Sequence, residues 1–285
     1  MGLPRVCVVG GGTMGNGIAH VFALKGFEVS LVETKRELAD AALATILRNL
    51  ERQVAKGSIT GEEMRAARAR VTLAPSIADA RGFQFAVEAV TERMDLKKAI
   101  FRDLEAAAAP GATLATNTSS LSVTEIASAV KDPSRVIGMH FMNPVPVMRL
   151  VEIIRGLRTS DAAHAAALDL AVKLGKTPAS ARDFPGFVSN RVLMPMINEA
   201  IFCLMEGVST REDIDTVMTL GMAHPMGPLR LADYIGLDVC LAVMETLRDG
   251  YADSKYRPCP LLRRMVQAGL LGVKSGRGFY EYAAK

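Results

Sequence analysis

The chain has 285 residues, 49% of them apolar and 22% charged, the profile of a globular protein with room for two domains. Its net charge of +4 is too mild to ask for nucleic acid, and no apolar run reaches the length that spans a bilayer. Its four cysteines, Cys7, Cys203, Cys240 and Cys259, form no CxxC pair and have no histidine cluster beside them, so no metal site is expected and the thiols read as buried and reduced.

The chain enters a strand almost at once, "RVCVVG" at 5–10, with no basic and apolar leader before it, so a cytoplasmic location is expected. Glycines and a helical pattern follow, "TMGNGIAHVFALKG", and then a second strand, "FEVSLVE". The segment "TKRELADAALATILRNLERQVAKG" has few breakers and many good helix formers, and predicts one long helix. In "ITGEEMRAARAR", Thr60 and Glu63 have the spacing of a capping box. Short strands recur at "VTLA", "FAVEAV", "ATLATN" and "RVIGMHF", with helical segments between several of them. This alternation predicts an α/β fold of the Rossmann type, a doubly wound and largely parallel sheet.

The pattern changes near Asp183. "RDFPGF" reads as a hinge or domain entrance, and almost no strand signal follows it. "VSNRVLMPMINEAIFCLMEG", "TREDIDTVMTLG", "GPLRLADYIGLDVCLAVMETLRDG" and "PCPLLRRMVQAG" read as helices, with Pro195 expected to kink the first unless it lies near a break. The expected organisation is a Rossmann-type domain over residues 1–183 and an all-α C-terminal domain over residues 184–285.

Within "VVGGGTMGNGIA", Gly10, Gly12 and Gly15 have the GxGxxG spacing, with Thr13 and Met14 in the same turn. One glycine permits the tight turn, one lets the backbone approach a pyrophosphate, and one lets the helix pack against the strand. The helix N-terminus then offers N–H groups to the phosphates. Glu33 ends the next strand roughly twenty residues on, where an adenosine ribose would be held. A carboxylate there repels the 2′-phosphate of NADP, so NAD is the expected cofactor. Lys35 and Arg36 follow closely and keep NADP open.

Redox chemistry on such a fold needs a proton acceptor, and histidine suits that role near neutral pH. Of four histidines, His20 and His164 sit within helical patterns and His224 in a turn-like segment. His140 alone ends an α/β strand, where such sheets bind ligands. In "GMHFMNPVPVMRLVE", Pro144 and Pro146 follow it, and Glu152 comes where the chain could turn back.

These segments resemble the L-3-hydroxyacyl-CoA dehydrogenase family, and most closely its short bacterial members acting on 3-hydroxybutyryl-CoA. The blocks "VVGGGTMGNGIA", "VEAVTERMDLKKAIF", "TNTSSLSVTEIA", "GMHFMNPVPVMRLVEII", "DFPGFVSNRVLMPMINEA", "HPMGPLRLADYIGLDVC" and "GRGFY" stand in family order over nearly the whole chain. The resemblance implies that His140 is the catalytic base and Glu152 the carboxylate that orients it. It implies that Ser119 and Asn190 hold the reacting oxygen and the substrate, with Asn190 acting from the helical domain. It places Glu33, Glu92, Lys97, Asn117 and Asn143 on the cofactor, and Lys56 as a candidate for the CoA phosphates. It further implies a homodimer formed through the helical domain, and an acyl-CoA substrate. Glu33 stands where many members have aspartate, and Leu271 and Val273 replace residues that are often aromatic or basic.

Each position also has an ordinary reading: Ser119 as a helix cap, Glu92 and Lys97 as a helix-surface pair, His140 and Glu152 as a buried structural pair. Two other functions stay open at this point. One is a dehydrogenase of CoA-free hydroxy acids or sugar acids on the same fold. The other is a stable binder without important catalysis, as in a lens-protein relative of the family.

Overall fold

Eight strands hydrogen-bond into one sheet in the order β3-β2-β1-β4-β5-β6-β7-β8. They are β1 (Arg5–Val9), β2 (Glu28–Val32), β3 (Val71–Ala74), β4 (Phe85–Glu88), β5 (Thr113–Thr116), β6 (Val136–Phe141), β7 (Leu150–Arg155) and β8 (Thr177–Arg182). The structure is a computed structural model and describes residues 4–283. Every strand pair is parallel except β6 with β7. β4 and β5 are buried along their whole length, as parallel strands covered on both faces should be, which is why they read as apolar runs rather than alternations.

The strand order reverses beside β1. β2 and β3 lie on one side of it and β4 on the other, which opens a crevice at the carboxyl ends of β1 and β4. The helices of this half are α1 (Thr13–Leu24), α2 (Arg36–Ala55), α3 (Gly61–Ala69), α4 (Met94–Ala107), α5 (Val123–Ala127) and α6 (Asp161–Lys173). Ile18 and Phe22 of α1 and Ile46 and Leu50 of α2 pack with Leu31 of β2 in the main core. Burying each such side chain stabilises the fold by about 1.5–3 kcal/mol. The capping box predicted at α3 is present: Thr60 Oγ1 accepts from the Glu63 N–H at 3.1 Å, and Glu63 Oε2 accepts from the Thr60 N–H at 2.7 Å.

β8 is a strand that the sequence did not announce. Its residues, "TPASAR", are mostly exposed and show no apolar run. It lies at the sheet edge, where Pro178 removes no needed donor.

The chain divides into two compact units, one up to Asp183 and one from Phe184. The second unit is helical: α7 (Ser189–Met205), α8 (Arg211–Thr216), α9 (Pro228–Ile235), α10 (Leu237–Tyr251) and α11 (Pro260–Gln267). Its core gathers Ile197, Ile201, Leu229, Met244, Leu247 and Leu262. Pro195 lies inside α7. The run from 227 to 250, which reads as one helix, is two, because Gly236 breaks it at φ 102°. The "GRGFY" block closes this unit. Asp233, buried in α9, accepts from the N–H groups of Phe279 and Tyr280 and from the Tyr282 hydroxyl, each at 2.9–3.0 Å. A Cβ at Gly278 would lie 1.9 Å from Asp233 Oδ1, so only glycine fits.

Among the described residues, no helix is long and apolar enough to cross a membrane, and no group of three or more His, Cys, Asp or Glu could hold a metal ion.

Candidate active site

The glycine turn between β1 and α1 shows three separate requirements. Gly10 has φ 97°, a backbone state that side chains rarely adopt. A Cβ at Gly15 would lie 1.7 Å from the Gly10 carbonyl oxygen, so α1 could not approach the strand with any other residue there. A Cβ at Gly12 would meet nothing within 4 Å. That glycine faces open space, where a ligand can come close to the backbone. Gly12 is also the N-cap of α1, with no side-chain cap and no acidic residue in the first turn. The helix therefore presents unneutralised N–H groups to an anion.

A cleft of about 1270 Å³ opens at this turn, lined among others by Gly12, Thr13, Met14, Glu33 and Ile77. Glu33 is fixed at the tip of β2: its Oε2 accepts from the Gly11 N–H at 3.1 Å and its Oε1 from the Thr34 N–H at 3.0 Å. Lys35 and Arg36 are both exposed, and Arg36 is engaged by Asp40 at 2.9 Å. The open glycine, the uncapped helix end and the oriented carboxylate fit a dinucleotide.

The ends of β4 and β5 carry a buried polar network. Glu88, fully buried, accepts from Lys97 Nζ at 2.6 Å, Thr116 Oγ1 at 2.7 Å and the Val90 N–H at 2.7 Å. Lys97 is 1% exposed and also reaches Glu92 at 3.3 Å. Glu92 and Lys97 are therefore not the helix-surface pair that one sequence reading allowed. Glu92 accepts from the Ser119 N–H at 2.6 Å, from Ser119 Oγ at 3.1 Å and from Thr118 Oγ1 at 3.0 Å. Ser119 is not a helix cap either: Ser122 caps α5, accepting from the Glu125 N–H.

His140 and Glu152 are register partners across the antiparallel β6–β7 pair. His140 Nδ1 lies 2.8 Å from Glu152 Oε2, and both side chains are buried. A neutral imidazole that donates its Nδ1–H to the carboxylate carries its lone pair on Nε2, the arrangement of an oriented general base. Asn117 holds the adjoining residue: its Oδ1 accepts from the Phe141 N–H at 2.9 Å, while its own N–H donates to the Glu88 carbonyl at 2.8 Å. Asn117 thus ties the Glu88 network to the histidine strand.

Asn143, Lys56 and Asn190 complete the predicted set. Asn143 is exposed in the loop after β6, at a cis bond to Pro144. Lys56 is exposed at the C-terminal end of α2 and does not line the cleft. Asn190 is the second residue of α7, in the helical unit, and its N–H donates to the Gly186 carbonyl at 3.1 Å. Sequence reasoning passed over Glu88 and Asp183. A carboxylate inside the apolar run "FAVEAV" was the available signal for Glu88. Asp183 accepts from Ser122 Oγ and from the N–H groups of Val123 and Thr124, so it seals the start of α5.

A parallel sheet with this reversal, this glycine turn and this acidic strand end defines a dinucleotide-binding protein of the oxidoreductase type. Residues 5–184 match the model of the 3-hydroxyacyl-CoA dehydrogenase NAD binding domain, and residues 186–282 match that of the 3-hydroxyacyl-CoA dehydrogenase C-terminal domain. The chain belongs to the 3-hydroxyacyl-CoA dehydrogenase family. A probable 3-hydroxybutyryl-CoA dehydrogenase of Bacillus subtilis is 52% identical over 285 residues, covering 100% of this chain and 99% of its own. The 3-hydroxybutyryl-CoA dehydrogenase of Bradyrhizobium diazoefficiens is 50% identical over 98% of this chain and 96% of its own. The crystal structure of the (S)-3-hydroxybutyryl-CoA dehydrogenase of Ralstonia eutropha superposes with a TM-score of 0.96 at 47% identity, over 99% of this chain and 100% of that one.

Proposed function

We propose that this protein interconverts (S)-3-hydroxybutyryl-CoA and acetoacetyl-CoA, with NAD as the hydride carrier. The observation that carries the reading is the buried His140–Glu152 pair at 2.8 Å, on the sheet that also bears the dinucleotide turn. Relatives named for this reaction at 50–52% identity over nearly the full chain support the substrate class.

Bound at the glycine turn, NAD would supply the acceptor for the hydride that leaves C3 of the hydroxyacyl group. His140 takes the hydroxyl proton at Nε2 and returns it in the reductive direction. Glu152 holds the imidazole by Nδ1 and stabilises the positive charge that develops on it. Ser119, with its backbone and hydroxyl bound to Glu92, holds the reacting oxygen. Asn190 is assigned to the substrate on its family motif.

Gly10, Gly12, Thr13, Met14 and Gly15 form the turn that receives the pyrophosphate, and Glu33 binds the adenosine ribose. Glu92, Lys97, Asn117 and Asn143 serve the nicotinamide half: Lys97 acts mainly by holding Glu88 and Glu92, and Asn117 by holding β6. Lys56 is assigned to the CoA phosphates. The protein works as a homodimer in the cytoplasm. The unpaired cysteines suit a reducing compartment, and the helical unit exposes Val192, Val217, Leu220 and Met222, apolar surface that a second copy would cover.

Initial rates of acetoacetyl-CoA reduction with NADH and with NADPH, for wild type and His140→Ala, test this reading. The expected result is a fast NADH rate that falls by about 10²–10⁴ in the variant. No rate with either cofactor would refute the substrate assignment and turn attention to CoA-free hydroxy acids.

A further inference from the structure

Lys176 joins α6 to β8 and is 8% exposed, yet it has no place in the chemistry above. Its ammonium group donates to two main-chain carbonyls of one loop, that of Val145 and that of Met148, the latter at 2.7 Å. This loop, residues 142–149, connects β6, which carries His140, to β7, which carries Glu152. It contains Pro144 and Pro146, which have no N–H to give. The Pro144 carbonyl accepts from the Val147 and Met148 N–H groups and the Arg149 carbonyl from the Thr177 N–H. The Val145 and Met148 carbonyls take the Lys176 ammonium group as their donor, and buried carbonyls require donors. A lysine with three N–H donors meets two of them from a single point.

The same loop also packs against the dinucleotide helix. Val145 is 2% exposed, and a Cβ at Gly17 of α1 would lie 2.9 Å from its Cβ. Only glycine at this position lets α1 and the loop approach so closely. The loop is therefore held both by packing against the helix that follows the glycine turn and by the Lys176 ammonium group. Burial, and then the charge of Lys25, lower the Lys176 pKa below the ordinary lysine range. A group this costly to bury is one that its carbonyl partners have to repay.

We propose that Lys176 is a positioning residue for the dehydrogenase reaction: it clamps the 142–149 loop by the Val145 and Met148 carbonyls, so that Asn143 and the β6–β7 pair keep a fixed place relative to α1. The inference rests on the function proposed above. It makes Lys176 a determinant of cofactor placement, acting through the loop and touching neither cofactor nor substrate.

The test compares wild type, Lys176→Met, Lys176→Arg and Gly17→Ala by thermal melting, by NADH and acetoacetyl-CoA kinetics, and by hydrogen exchange of the 142–149 peptide. Methionine keeps the length and removes the donors. The expected result is a folded Lys176→Met enzyme with the NADH KM raised about tenfold and kcat lowered about tenfold. Exchange should rise in 142–149 but not in 5–32, and Lys176→Arg should recover part of the loss. A purely structural lysine would lower the folded fraction and leave the NADH KM unchanged, and that outcome overturns the proposal. So does a folded Lys176→Met enzyme with wild-type constants. Should Lys176→Met fail to fold, Gly17→Ala decides, since it displaces Val145, whose carbonyl Lys176 holds. A raised NADH KM there, with exchange raised in 142–149 and unchanged in 5–32, supports the clamp; wild-type kinetics, or a raised KM with exchange raised in 5–32, overturn it. Absence of activity in wild type would refute the function. The clamp would then stand or fall on whether Lys176→Met, or Gly17→Ala if that variant does not fold, raises exchange in 142–149.

Discussion

His140 and Glu152 stand directly opposite each other on β6 and β7, with Nδ1 2.8 Å from Oε2. Their alignment is set by the main-chain ladder, so the carboxylate can be altered without moving the histidine along the strand. In Glu152→Gln the side chain keeps its size and a hydrogen-bonding oxygen but loses its charge. With His140 as the proposed base, the imidazolium it would form then lacks its counter-charge. We expect kcat to fall by roughly 10²-fold with the NADH KM nearly unchanged. Stopped-flow or initial-rate measurements that found wild-type kcat would remove Glu152 from the mechanism.

Glu33 is the residue proposed to hold the adenosine ribose. Its two oxygens are oriented by the Gly11 and Thr34 N–H groups, which aim the carboxylate at the cleft. Glu33→Ala should raise the NADH KM about tenfold, equivalent to about 1.4 kcal/mol. It should not by itself create good NADPH use, because Arg36 is drawn to Asp40. The double change Glu33→Ala with Asp40→Ala releases Arg36 and should improve the NADPH to NADH ratio beyond the single change. Equal ratios in the two variants would show that Arg36 takes no part.

The sequence made the dinucleotide turn legible because three unrelated physical demands all select glycine at fixed spacing. It made the histidine strand legible because an α/β sheet concentrates its chemistry at strand ends. The pairing with Glu152 came from the family resemblance; the local pattern showed only a carboxylate on a run that could turn back toward the histidine. β8 was not legible: an exposed edge strand has no apolar pattern to show. The α9–α10 break was hidden because both helices keep an apolar period while one glycine changes direction. The burial of Lys97 and the role of Lys176 were hidden for a common reason. A charged residue looks solvated until the fold shows which carboxylate or carbonyl it serves.

Lys97 and Glu88 provide a stability test of that point. Their pair is 2.6 Å apart, with side chains 1% and 0% exposed. Lys97→Met leaves Glu88 with Thr116 and the Val90 N–H but with no buried counter-charge. The expected cost is about 3–5 kcal/mol in urea unfolding. Adding Glu88→Gln removes the orphaned charge and should restore part of the loss. A single variant as stable as wild type would show that the pair contributes little.

His20 gives the fold a sign-defined pH dependence. It is 1% exposed in α1, its Nε2 lies 3.2 Å from Gln53 Oε1, and its Nδ1 has no hydrogen-bond partner. Burial lowers its pKa. The Gln53 bond raises it in part, and the nearby charge of Lys176 lowers it further. The folded protein therefore resists a proton that the unfolded chain accepts near the ordinary histidine value of about 6.5. Above about pH 7 the imidazole is neutral in both states and contributes no pH dependence. As the pH falls below about 6.5 the unfolded state gains the proton first, so stability declines. His20→Gln has no such proton to gain. Urea midpoints at pH 7.5 and pH 5.5 should therefore fall further for wild type than for His20→Gln, while carboxylates titrating in both proteins cancel in the difference. An equal fall in the two would mean that His20 accepts its proton as readily in the folded core as in the unfolded chain.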